Sequence, residues 1–101
     1  MTFEEFKASL DAHEPPAALA PPLAALWTEA RGGWTSGDWD AAHQIVQAES
    51  GIDAAWVHAY LHRREGDLSN ARYWYRRAER DPHEGELESE WAEISQALLG
   101  A

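Results

Sequence analysis

The chain contains no cysteine. That one absence removes disulfides, thiolate metal ligands and cysteine nucleophiles together. Basic residues are scarce as well: eight Lys and Arg stand against 18 Asp and Glu, giving a formal charge of −10. A surface with this balance lacks the cations needed to neutralise phosphates, so nucleic acid is not an expected partner. No apolar run approaches the roughly 20 residues that a membrane helix needs. The opening "MTFEEFKASL" carries two glutamates where a secretory signal would carry basic residues, so no membrane association and a cytoplasmic location are expected. Phosphate-cradling glycine loops, nucleophile elbows and the His-Glu-x-x-His zinc motif are all missing, and nothing in the chain calls for catalysis.

β-branched residues are few and never alternate with polar ones, whereas Ala, Glu, Leu and Arg recur at helical spacing. The pattern predicts an all-α domain of about six short helices, and 101 residues suffice for one core. Thr2 and Glu5 form a capping-box pattern ahead of a first helix on which Phe3, Phe6 and Leu10 share a face. The proline-rich "HEPPAALAPP" interrupts it, and residues 1–21 are read as a helix plus connector. Pro22 suits the first position of a second helix running to Arg31. "GGWTSGD" separates that helix from a third beginning near Trp39, and residues 22–50 form a first hairpin.

Gly51 is placed at the end of the third helix and Asp53 at the start of the fourth. Gly66-Asp67 then divides the fourth from a fifth, Leu68 to Glu79, so that residues 52–80 make a second hairpin. Asp81, Pro82 and Glu84 match N-cap, N1 and N3 of a sixth helix closing the chain over residues 81–101. On it Glu86, Glu88 and Glu90 are read as a solvated side. Short turns make consecutive helices neighbours.

A shift of 29 residues superposes Ala25 on Ala54, Trp27 on Trp56, Ala30 on Ala59, Gly37 on Gly66, Asp38 on Asp67 and Ala42 on Ala71. Two copies of one helix-turn-helix unit are therefore expected. With Ala59 at a small first-helix position, Gly66-Asp67 at the turn and Ala71, Tyr75 and Ala78 as a small, aromatic, small series, the second copy resembles a tetratricopeptide repeat. "HAYLHRREGDLSNARYWYRRA" also resembles a signature of short microbial proteins, a likeness that brings no function with it.

The tetratricopeptide resemblance implies helical hairpins stacked in a right-handed array, with the last helix as a cap. It also implies a groove that binds a protein or peptide. Carried over by position, the groove residues are Trp27, Arg31 and Trp34 in the first unit and Trp56, Tyr60, Arg63 and Arg64 in the second. Trp56, Tyr60 and Arg63 also share one helical stripe, and arginines beside aromatics suit an acidic peptide or a terminal carboxylate. Alternatively the tryptophans fill space between helices. With only two repeats, either a monomer closed by the first and sixth helices or a homodimer through the groove is expected.

Six of the eight basic residues (Arg63, Arg64, Arg72, Arg76, Arg77, Arg80) fall between His58 and Arg80, and six acids follow from Asp81 onward with no Lys or Arg. Either the acidic last helix pairs with the basic hairpin, or the arginines form a patch for an acidic partner. Trp74 and Tyr75 are expected in the core, and Tyr73 outside beside Arg76, Arg77 and Arg80.

His58, His62 and Glu65 stand at i, i+4, i+7. Two histidines one turn apart can chelate a divalent metal, with the glutamate as a third ligand or a base, so the alternative reading is a metal- or small-ligand-binding protein, an enzyme among the options. Their apolar neighbours point them inward instead, where Tyr75 or Asn70 would satisfy a structural pair and no cofactor is needed. His13, His43 and His83 have no local constellation.

Overall fold

The computed structural model describes residues 1–100, and six α-helices account for its regular structure, joined by one short 3-10 turn. They are α1 (Phe3–Ala8), α2 (Pro21–Ala30), α3 (Trp39–Gln47), α4 (Ile52–Arg64), α5 (Leu68–Arg77) and α6 (Leu87–Leu99), with the 3-10 turn at Ser9–Asp11. There is no strand among the described residues, and no helix is long and apolar enough to cross a membrane.

The Thr2 hydroxyl accepts from Glu5 N at 3.1 Å while Thr2 N donates to the Glu5 carboxylate at 2.8 Å, so the first helix begins on a full capping box. Pro21 and Pro22 occupy the opening of α2, where their missing N–H groups cost nothing. Asp38 caps α3 through Ala41 N, and Asp67 caps α5 through Asn70 N. Gly37 sits in the α2–α3 turn because a Cβ there would run into the Glu29 carbonyl.

Several boundaries differ from the sequence expectation: α2 is shifted by one residue, and α4 starts at Ile52 rather than at Asp53. Gly51 is not the end of α3, which stops at Gln47 with Ala48 as C-cap; it is the residue before α4, at a φ of 107° open to glycine. Helix α5 stops at Arg77, and Glu79 turns into the left-handed region. The Asp81–Glu84 capping pattern starts no helix: α6 begins at Leu87 behind Glu86. Residues 81–86 instead form a strap whose Gly85 carbonyl accepts from Arg63.

Helix α4 is the centre of the molecule and packs against α2, α3, α5 and α6. Every residue from Ala54 to His62 is buried, so this segment presents no solvated face. At the other end of the core Trp91 of α6 stacks on Phe6 with centroids 5.6 Å apart, meets the Trp34 ring edge-on, and donates its indole N–H to the Leu26 carbonyl.

Candidate functional site

The aromatic and arginine residues expected to line a groove are instead used mostly within the molecule. Trp27, Trp56 and Tyr60 are buried in the core, so they offer a ligand no open stripe. Trp27 donates to Ser9 Oγ at 3.1 Å, and Arg80 lies over Trp56 with its guanidinium carbon 3.7 Å from the ring centroid. Arg31 approaches the Trp27 ring from the half-buried end of α2.

Arg63 and Arg64 are adjacent in sequence and therefore point about 100° apart on α4. They reach opposite neighbours. Arg63 donates to Glu90 Oε1 at 2.9 Å on α6, and Arg64 Nε lies 2.7 Å from Glu29 Oε1 on α2. Both carboxylates are almost wholly buried, and each also takes a tyrosine: Tyr60 donates to Glu29 and Tyr75 to Glu90. Trp34 also donates to Glu29 Oε2, at 3.1 Å. Burial pushes the Glu29 carboxyl above its usual range against the pull of Arg64, and burial likewise raises the Tyr60 and Tyr75 phenols. Glu90 is thus a correction to the solvated-side reading of Glu86, Glu88 and Glu90.

The histidines converge. His58 and His62 do point inward from α4, and His43 of α3 meets them there, although its own sequence surroundings gave it no partner. One ligand nitrogen from each of the three lies within 4.8 Å of the others. The Nε2 atoms of His43 and His58 are 2.9 Å apart. Neither Tyr75 nor Asn70 serves the pair as the sequence suggested: the Tyr75 hydroxyl is taken by Glu90, and the Asn70 side-chain amide approaches Asp67 at 3.5 Å.

Tryptophans hold the rings. Trp39 stacks on His43 at 4.8 Å and meets His62 edge-on, with its own N–H fixed by the Leu61 carbonyl at 2.7 Å. Trp74 stacks on His58 at 3.8 Å. His62 Nδ1 lies 2.7 Å from Glu65 Oε2, which leaves Nε2 as the ring's other nitrogen. Burial, then the neighbouring histidines, push the His58 imidazole down to about 4; burial also lowers His43. A cavity of about 400 Å³ borders the cluster, with His58, Trp74, Val46, Ile52, Glu49 and Arg77 in its wall.

His43, Trp39 and Trp74 are the site residues that the sequence reading did not assign. One signal was present: Trp39 and His43 are one turn apart on α3 and thus share a face. Compared with protein-family models, curated proteins and solved structures, the chain matches no family, no curated protein and no solved fold.

Proposed function

We propose that the protein binds a divalent transition-metal ion, of the Zn(II) or Cu(II) class, through His43, His58 and His62. The observation that carries this reading is the convergence of three imidazoles from two helices with their ligand nitrogens inside 4.8 Å. Tetrahedral bonds of about 2.0–2.1 Å would set such nitrogens about 3.4 Å apart, so the His43–His58 pair needs a shift of only about half an ångström. Lowered proton affinity keeps His43 and His58 in the neutral form that ligates. Glu65 supplies the carboxylate behind a ligating histidine that fixes its ring. Nitrogen ligands without thiolate favour Cu(II) and Zn(II) over softer ions. Three protein ligands leave a position for water or a small molecule.

Isothermal titration of Zn(II) into chelator-stripped protein is the test. At least one ion should bind with micromolar or tighter affinity, and at one hundred times the dissociation constant it should add about 2.7 kcal/mol of stability. His43→Ala, which alters the most accessible of the three rings, should weaken binding about tenfold or more. An unchanged affinity in that variant, or no heat of binding in the native chain, overturns the assignment.

A second reading, an interaction module for an acidic protein or peptide, keeps support from a different surface. Arg72, Arg76, Arg77 and Arg80 are exposed and have no ion pair among the described residues, beside the exposed Tyr73 ring that Arg77 covers. The tetratricopeptide-like hairpins would then present the outer face of α5 rather than a groove. Arg76→Glu with Arg77→Glu should abolish salt-sensitive retention of a glutamate-rich peptide, and equal retention by the variant counts against this reading.

A further inference from the structure

We infer that the histidine cluster takes two metal ions rather than one, with His62 as the bridge between them. In this arrangement Nε2 joins the set completed by His43 and His58, and Nδ1, which lies 2.7 Å from Glu65 Oε2, joins an outer set completed by Glu65 and Asp67. The inference rests on the proposed metal-binding reading and adds a second site to it.

His62 is only 6% exposed, yet it belongs to two groups of potential ligands. The inner group is His43, His58 and His62; the outer is His62, Glu65 and Asp67, again with one ligand atom from each inside 4.8 Å. An imidazole carries its two nitrogens on different edges of the ring, so occupation of one leaves the other free. The ring meets Trp39 edge-on with centroids 5.9 Å apart and is held at Nδ1 by Glu65.

The backbone holds the outer carboxylates to this ring. Asp67 N donates to the His62 carbonyl at 2.9 Å, which closes the short turn carrying both Glu65 and Asp67. Asp67 uses Oδ1 to cap α5 through Asn70 N at 3.2 Å. Its Oδ2 has only a 3.5 Å approach from the Asn70 side-chain amide and is the oxygen open to an ion. Glu65 uses Oε2 on His62 and keeps Oε1.

This is therefore more than two surface acids: the nitrogen beside Glu65 belongs to an almost wholly buried imidazole that is also a member of a second ligand set. When the outer ion binds, the proton on Nδ1 passes to buffer and the nitrogen lone pair goes to the metal. The resulting imidazolate and two carboxylates offset the added charge. An exposed set of one nitrogen and two oxygens should hold its ion more weakly than the buried three-nitrogen set.

Native mass spectrometry of the full chain with stepwise Zn(II) tests the stoichiometry, and Cu(II) electron paramagnetic resonance tests the bridge. The native protein should take two Zn(II), and a second equivalent of Cu(II) should diminish the signal of the first through coupling across the ring. Asp67→Asn preserves the capping oxygen of α5 and should lower affinity for the second ion about tenfold or more. A native protein that takes one ion, lost in His43→Ala, overturns the bridge and leaves the single-ion reading standing. A protein that takes none overturns both. Two ions with additive, uncoupled signals, or a second ion unaffected by Asp67→Asn, also overturn the bridge.

Discussion

Glu90→Ala is expected to lower stability by about 3–5 kcal/mol, the range for removing one partner of a buried ion pair. Glu90 is completely buried on α6 and accepts from both Arg63 and Tyr75. Truncation leaves the Arg63 guanidinium, itself only 17% exposed, and the Tyr75 hydroxyl facing an empty space in the core. The Gly85 carbonyl is then the remaining acceptor for Arg63, and the 81–86 strap loses the charge that holds its arginine in place. For a domain of this size the loss corresponds to a melting temperature lower by about 12 °C or more. Glu88→Ala, two residues earlier on the same helix but exposed, should stay within about 0.5 kcal/mol of the native protein. Thermal and urea unfolding of both variants would decide the matter. A Glu90→Ala protein that melts with the Glu88→Ala control would show that the buried network contributes nothing net.

The same residue shows where sequence patterns stop carrying information. Glu86, Glu88 and Glu90 look alike in a charge count, and only the arrival of Arg63 and Tyr75 from two other helices makes one of them a core residue. The helical class was readable because it depends on local terms: the capping box at Thr2, the aspartate caps at Asp38 and Asp67, and buried alanines at helical spacing. The small and aromatic positions of the 29-residue repeat are buried in both copies, at Ala25 and Ala54, Trp27 and Trp56, Ala30 and Ala59, and Ala42 and Ala71.

The strap at 81–86 misled for the converse reason. Its local capping signal is genuine, but a tertiary hydrogen bond to Gly85 and a close fit of Gly85 to the His83 ring accompany a non-helical path. The histidine cluster was half legible. His58 and His62 advertise themselves by their spacing on one helix, whereas His43 lies 15 residues away and joins only when α3 packs on α4. Trp27, Trp56 and Tyr60 illustrate a further limit, since a stripe of aromatics on a helix has the same spacing whether it faces a ligand or the core.

Acidification should destabilise the metal-free protein through His58, and the direction follows from its proton affinity. In the unfolded chain the ring titrates near its ordinary value of 6.5; in the fold it is pushed down to about 4. Between those values the unfolded state binds the extra proton, so stability rises with pH across the window. The contribution is fully present above about pH 6.5 and is lost as pH falls toward 4.

A difference of 6.5 against about 4 corresponds to about 3 kcal/mol at 1.36 kcal/mol for each unit. The groups facing His58 reinforce the direction: His43 on α3 and His62 on α4 oppose a charge on it, Trp74 of α5 covers its ring, and Arg77 shares the adjoining cavity wall. Glu49 in the same wall is the one nearby acid of that cavity, and it is exposed. Carboxylates elsewhere also titrate at low pH, so the informative quantity is the difference from His58→Phe, which keeps a ring for Trp74 to stack on. With chelator present, urea unfolding at pH 7 and pH 4.5 should show a larger loss in the native chain by about 2–3 kcal/mol. Equal losses in the two proteins would mean that His58 accepts a proton in the fold as readily as outside it, and the cluster would lose the neutrality that suits it to a metal ion.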